Sequence, residues 1–157
     1  MLTFSPEMMR EIIMDHYSNP QHKKRPDDET GYFKVRMDST SCIDDITVYL
    51  KVENNKIVDA MFDGVACTIS TASTDIMCDL IMNKTLEEAK YIFTQYTNMI
   101  YEKPYDESVL EEALVFMNTS KQAARIKCAT IGWNGLEKIM EDDCHHEEKW
   151  YWIKWRL

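Results

Sequence analysis

Apolar residues recur at helical spacing near the start of the chain, where Met8, Met9, Ile12 and Ile13 follow Ser5-Pro6-Glu7. That triplet supplies a capping hydroxyl, a proline at the first helical position and an early acidic residue. A helix is therefore predicted from there to about Tyr17, stopped by Asn19-Pro20. The polar segment 21–30, with Pro26 inside it, reads as an exposed loop. From Gly31 the period shortens to two. Tyr32 to Met37 forms one predicted strand, and Ile46, Val48, Leu50 and Val52, alternating with Thr47, Tyr49 and Lys51, form a second. Lys56 to Phe62 supplies a third. The Asn54-Asn55 pair between the last two strands fixes them as a hairpin.

After Gly64 the period returns to that of a helix. One is predicted over Ile69 to Met82, and another from Thr85 to about Tyr101, opened by the Thr85-x-x-Glu88 capping box and ended by Pro104. A further helix is expected from Asp106 to Met117. The last is expected to begin after Cys128 and to carry Ile131, Trp133, Leu136, Ile139 and Met140. The fold class is thus α+β, a small three-stranded antiparallel sheet packed against about five helices. We read residues 1–140 as one domain and 141–157 as a tail that joins an acidic, histidine-bearing stretch to Lys149-Trp150-Tyr151-Trp152-Ile153-Lys154-Trp155. The tryptophans there either pack back over the domain as a strand or cap, or form a docking or homodimer surface.

Composition narrows the function. With 157 residues, 45% of them hydrophobic, the chain can bury one core without staples. A net charge of -9 repels a phosphate backbone, which excludes nucleic acid as a general partner. No apolar run approaches the roughly 20 residues of a bilayer span, and no leader pattern opens the chain, so a cytoplasmic protein with no membrane partner is expected. Five cysteines, an odd number in a chain of this size, do not form a disulfide framework and are expected to be reduced.

Three of these cysteines stand at the predicted ends of elements, where side chains can project to a common point. Cys42 lies in the Ser/Thr/Asp-rich loop before the second strand, Cys67 between the third strand and a helix, and Cys128 ahead of the last helix. Near a helix start, free N–H groups and the macrodipole favour an anionic sulfur. Asp44, two residues after Cys42, supplies a fourth donor from the same loop. Three sulfurs and one oxygen suit zinc, and equally an iron-sulfur cluster with one non-cysteine position. The bland alternative is three buried packing residues, and spacing alone does not exclude it. Cys78, among Ile76, Met77, Leu80 and Ile81, reads as core. Cys144, His145 and His146 read as adventitious ligands in a charged tail, and His16 and His22 as helix-end and loop residues.

The segments Thr40-Ser41-Cys42-Ile43-Asp44, Gly64 to Ser73 around Cys67, and Arg125-Ile126-Lys127-Cys128-Ala129-Thr130 resemble, in order, the three cysteine motifs of the IscU/SufU/NifU iron-sulfur assembly family. Tyr17-Ser18-Asn19-Pro20 resembles the element after that family's first helix. Lys127, where IscU proteins carry histidine, and the long interval between Cys67 and Cys128 make the chain more similar to the SufU branch.

The resemblance implies a SufE/NifU-like fold and a zinc ion held by Cys42, Asp44, Cys67 and Cys128. It further implies that Cys42 accepts persulfide sulfur from a SufS-like cysteine desulfurase, with Arg125 auxiliary, for delivery to downstream assembly proteins or apo-proteins. A scaffold role, with a transient [2Fe-2S] cluster at the same four residues, is the alternative. So is a zinc-stabilised interaction module. Whether the chain acts as an enzyme, at most a sulfurtransferase, is left open. Two departures stand out. Ile43 replaces the glycine of the usual Cys-Gly-Asp and cannot adopt glycine's positive φ, which leaves Asp45 as a competitor for Asp44. Ala66 replaces a glycine before the second cysteine.

Overall fold

The structure, a computed structural model, describes residues 3–39 and 43–144, with the side chains of 142–144 excepted. The alternating segment forms β1 (Tyr32–Asp38), β2 (Asp45–Glu53) and β3 (Lys56–Val65), antiparallel in the order β1-β2-β3. Asn54 and Asn55 take φ of 52° and 64°, the left-handed pair that a tight hairpin turn requires. That turn sets Val48 opposite Phe62 and Leu50 opposite Ala60, all fully buried on the inner face.

Helices α1 (Pro6–Ser18), α2 (Thr68–Ile81), α3 (Leu86–Ile100) and α4 (Ala123–Lys138) surround that face. Ser5 caps α1 by accepting the Met8 N–H, and both halves of the Thr85/Glu88 capping box are formed at α3. Helix α2 is the central one, buried along almost its whole length and packed between α1, α4 and β3. Behind it Trp133 stacks on Tyr96 at 4.0 Å and donates its indole N–H to Ser73, while the Tyr96 hydroxyl donates to the Ala129 carbonyl. These bonds satisfy the polar atoms of two large buried aromatics and tie α2, α3 and α4 together.

Two sequence expectations are corrected. Residues 106–117 form short 3-10 turns, Glu107–Val109 and Glu111–Phe116, rather than an α-helix; Glu111 takes φ of 46°, which interrupts a continuous right-handed helix. Helix α4 begins at Ala123, so Cys128 lies more than a turn inside it rather than ahead of it. The start was hidden because Gln122 makes no side-chain cap and no acidic residue occupies the first turn, the signals by which a helix start is read. The chain then passes into a π-helical turn, Ile139–Cys144, across the expected boundary at residue 140. The Trp-rich segment and His145 and His146 lie outside the described residues. Among those described, no helix is long and apolar enough to cross a membrane.

Candidate metal centre

Three loops and helices deliver one cluster of donors. Strand β2 starts at Asp45, which places Asp44 at the sheet edge beside the end of β3, since Asp45 pairs with Val65. From Val65 the chain turns at Ala66 and enters α2, with Cys67 as its N-cap. The Cys67 backbone N–H donates to Asp44 Oδ1 at 2.8 Å, and the Ser70 hydroxyl donates to the same oxygen at 2.8 Å. Asp44 is only 2% exposed, and these donors offset the cost of burying a carboxylate. Asp44 Oδ2 lies 3.9 Å from Cys67 Sγ. Cys67 Sγ in turn accepts the Ser70 N–H at 3.5 Å and stands 3.0 Å from Ser70 Oγ.

Cys128 completes the group from α4, which crosses α2 so closely that a Cβ on Gly132 would lie 2.2 Å from Thr74 Oγ1. One carboxylate oxygen of Asp44 and the Sγ atoms of Cys67 and Cys128 all lie within 4.8 Å of one another. Cys128 is buried and Cys67 partly exposed, so the cluster faces the surface on one side. Soft sulfurs with one oxygen, at this separation and ready for a further ligand, fit a tetrahedral divalent ion or an iron-sulfur cluster. Cys42 lies outside the described residues.

The competition between neighbouring aspartates has a clear geometry. Asp45 is held in two hydrogen bonds by the Arg36 guanidinium, at 2.8 and 2.6 Å, which keeps its carboxyl below the usual range. Asp44 alone of the two turns toward the cysteines. Arg125 and Lys127 are exposed in the first turns of α4, where the helix dipole disfavours cations. Arg125 shares with Cys67 the lining of a cavity of about 490 Å³.

Cys78 is fully buried, and burial pushes its thiol well up, as befits an inert core residue. Ser70, the partner of both Asp44 and Cys67, was missed from sequence; the only signal was its place three residues after the cap, where an N-cap side chain is met. His16 stands in the last turn of α1, as expected of a helix-end residue. It is buried, with Nδ1 2.6 Å from Asp75 Oδ2 and Nε2 3.3 Å from Glu112 Oε1, and the Asp75 hydrogen bond raises its pKa to about 9. His22 Nε2 pairs with Asp79 at 2.6 Å and its backbone N–H donates to Asp75. His16, Asp75 and Asp79 also bring donor atoms within 4.8 Å of one another, but these hydrogen bonds account for the arrangement, which staples α1 and the following loop to α2.

Residues 8–129 match the model of the NifU-like N-terminal domain family. The Bacillus subtilis protein named zinc-dependent sulfurtransferase SufU is 37% identical over 132 residues, spanning 83% of this chain and 88% of that one. The Streptococcus pyogenes iron-sulfur cluster assembly scaffold protein IscU is 33% identical over 132 residues, spanning 83% and 80%. Among solved structures, a Fervidobacterium islandicum protein described as a putative scaffold for the SUF system superposes with a TM-score of 0.77 at 31% identity, covering 83% of this chain and 95% of that one.

Proposed function

We propose, on the premise that this chain belongs to the NifU-like N-terminal domain family of iron-sulfur cluster assembly proteins, that it accepts persulfide sulfur from a cysteine desulfurase at Cys42 and passes it onward. The observation that carries the reading is the convergence of Asp44, Cys67 and Cys128 within 4.8 Å, with Asp44 fixed by two donors. Cys42, two residues before Asp44, is the fourth ligand and the reacting thiol. Zinc bound by these four residues would keep its thiol ligands deprotonated near neutral pH.

In the transfer, the Cys42 thiolate attacks the terminal sulfur of the desulfurase persulfide. A sulfur–sulfur bond forms on Cys42 as the one in the donor breaks, and the desulfurase cysteine leaves as thiolate, with no net oxidation. Ser70 and the Cys67 N–H hold Asp44 in place throughout, so the site keeps its shape when Cys42 departs. Arg125 offsets the formal charge near -2 that three thiolates and a carboxylate leave around a divalent ion. Such a protein works in the cytoplasm, as the domain 1–140 with its tail 141–157.

Desulfurase turnover with cysteine tests this. Wild type stimulates it and Cys42→Ala does not; stimulation by Cys42→Ala equal to wild type would rule the reading out. The second reading, a [2Fe-2S] cluster built on the same residues as cargo for apo-proteins, is favoured by the name of the Streptococcus relative. Protein purified without oxygen separates the two. One colourless zinc per chain supports transfer, whereas iron, sulfide and visible absorbance support scaffolding.

A further inference from the structure

The cavity beside the metal centre differs in charge from the rest of the molecule. Its walls include Arg10, Ile13 and Met14 of α1, Cys67, Phe116 and Arg125, and no carboxylate among the described residues lines it, although the chain carries a net charge of -9. Among the described arginines, Arg25 pairs with Asp63 and Arg36 with Asp45, while Arg10 and Arg125 have no carboxylate partner among the described residues. The two unpaired guanidiniums therefore share one apolar-walled cavity of about 490 Å³ with a thiol of the metal centre. Apolar walls concentrate their field, so the cavity attracts an anion.

The surroundings are apolar and open. Met14 is 49% exposed, Ile43, next to Asp44, is 69% exposed, and Val65, two residues before Cys67, is 61% exposed. Large side chains left in water around a charged site mark a protein-docking surface more than a small-molecule pocket.

We propose that the cavity and its rim form a docking surface for an acidic, apolar-tipped segment of the protein that donates the persulfide, with Arg10 as a positioning residue and Ile43 as an apolar contact. The inference rests on the sulfur-transfer reading and deepens it by naming the chemistry of the donor's contact. Arg10 of α1 and Arg125 of α4, both in the cavity lining, grip the carboxylates of that segment, and the Cys67 edge leaves the persulfide beside the thiol ligands.

The test is desulfurase turnover against concentration of the full chain in its metal-bound form. Arg10→Glu is expected to raise the half-saturating concentration about tenfold with the saturated rate unchanged, and Arg10→Lys to restore most of the loss. Added salt should raise the wild-type value and have little effect on Arg10→Glu. Ile43→Ser should raise it without changing salt dependence. With neutral elemental sulfur replacing the desulfurase as sulfur donor, Arg10→Glu should load sulfur as fast as wild type. A wild-type half-saturation in Arg10→Glu at unchanged metal content, or equal slowing of loading from elemental sulfur, would overturn the proposal. Cys42→Ala in the same assay keeps the two questions apart, because its full activity would sink the transfer reading whatever Arg10 does.

Discussion

Gly64 lies against the backbone of Asp45 so closely that a Cβ on it would stand 2.0 Å from the Asp45 carbonyl oxygen. Its φ of 127° is a conformation that side-chain-bearing residues rarely adopt. The contact seats the end of β3 against the start of β2, and so fixes the separation of Asp44 from Cys67. Gly64→Ala is expected to cost about 2–4 kcal/mol in urea unfolding of the metal-free chain. A loss below about 0.5 kcal/mol would contradict this close approach.

Ser70 meets the proposed metal ligands at Asp44 and Cys67. Removing its hydroxyl takes from Asp44 Oδ1 one of the two donors described above, the other being the Cys67 N–H, and loosens the hold on the carboxylate. Ser70→Ala should therefore weaken zinc binding about 10–100-fold in chelator competition while leaving the fold intact. Unchanged affinity would show that the carboxylate is positioned by other groups.

His16 gives the fold a pH dependence of known sign. Its pKa of about 9 in the folded chain, set chiefly by the Asp75 hydrogen bond, exceeds the ordinary 6.5. Below pH 6.5 both folded and unfolded chains hold the proton and the stabilisation is complete. As pH rises from there the unfolded chain releases its proton first, so stability falls until about pH 9 and is then lost. The His22 pKa is raised by Asp79 and acts in the same direction. Urea unfolding at pH 6 and pH 9 should show a fall in wild type that is larger than in His16→Gln by about 3 kcal/mol at most. Equal slopes would show that the His16–Asp75 pair carries no charge.

The sheet was legible in the sequence because each strand alternates and the asparagine pair fixes the hairpin register. The Cys67 position was legible for a related reason, since a strand ending at Phe62 and a helical period from Ile69 leave only a short connection. The start of α4 was not, because the residues before it resemble a polar loop and no cap marks the helix. Nor were the pairings of Asp44 with Ser70 and of His16 with Asp75. They join residues far apart in the chain, and hydrophobic periodicity carries no information about which polar side chains meet. The choice between Asp44 and Asp45 needed the Arg36 contact across the β1–β2 pair, which only the register reveals.

The central claim is that Asp44, Cys67 and Cys128, with Cys42, hold a single ion, and metal analysis of purified protein tests it most directly. The expected result is about one zinc per wild-type chain and loss of most of it in Asp44→Ala, Cys67→Ser and Cys128→Ser alike, since each removes one of four ligands. Full zinc content in Cys67→Ser or Cys128→Ser would contradict it, because an ion bound elsewhere would not notice the change.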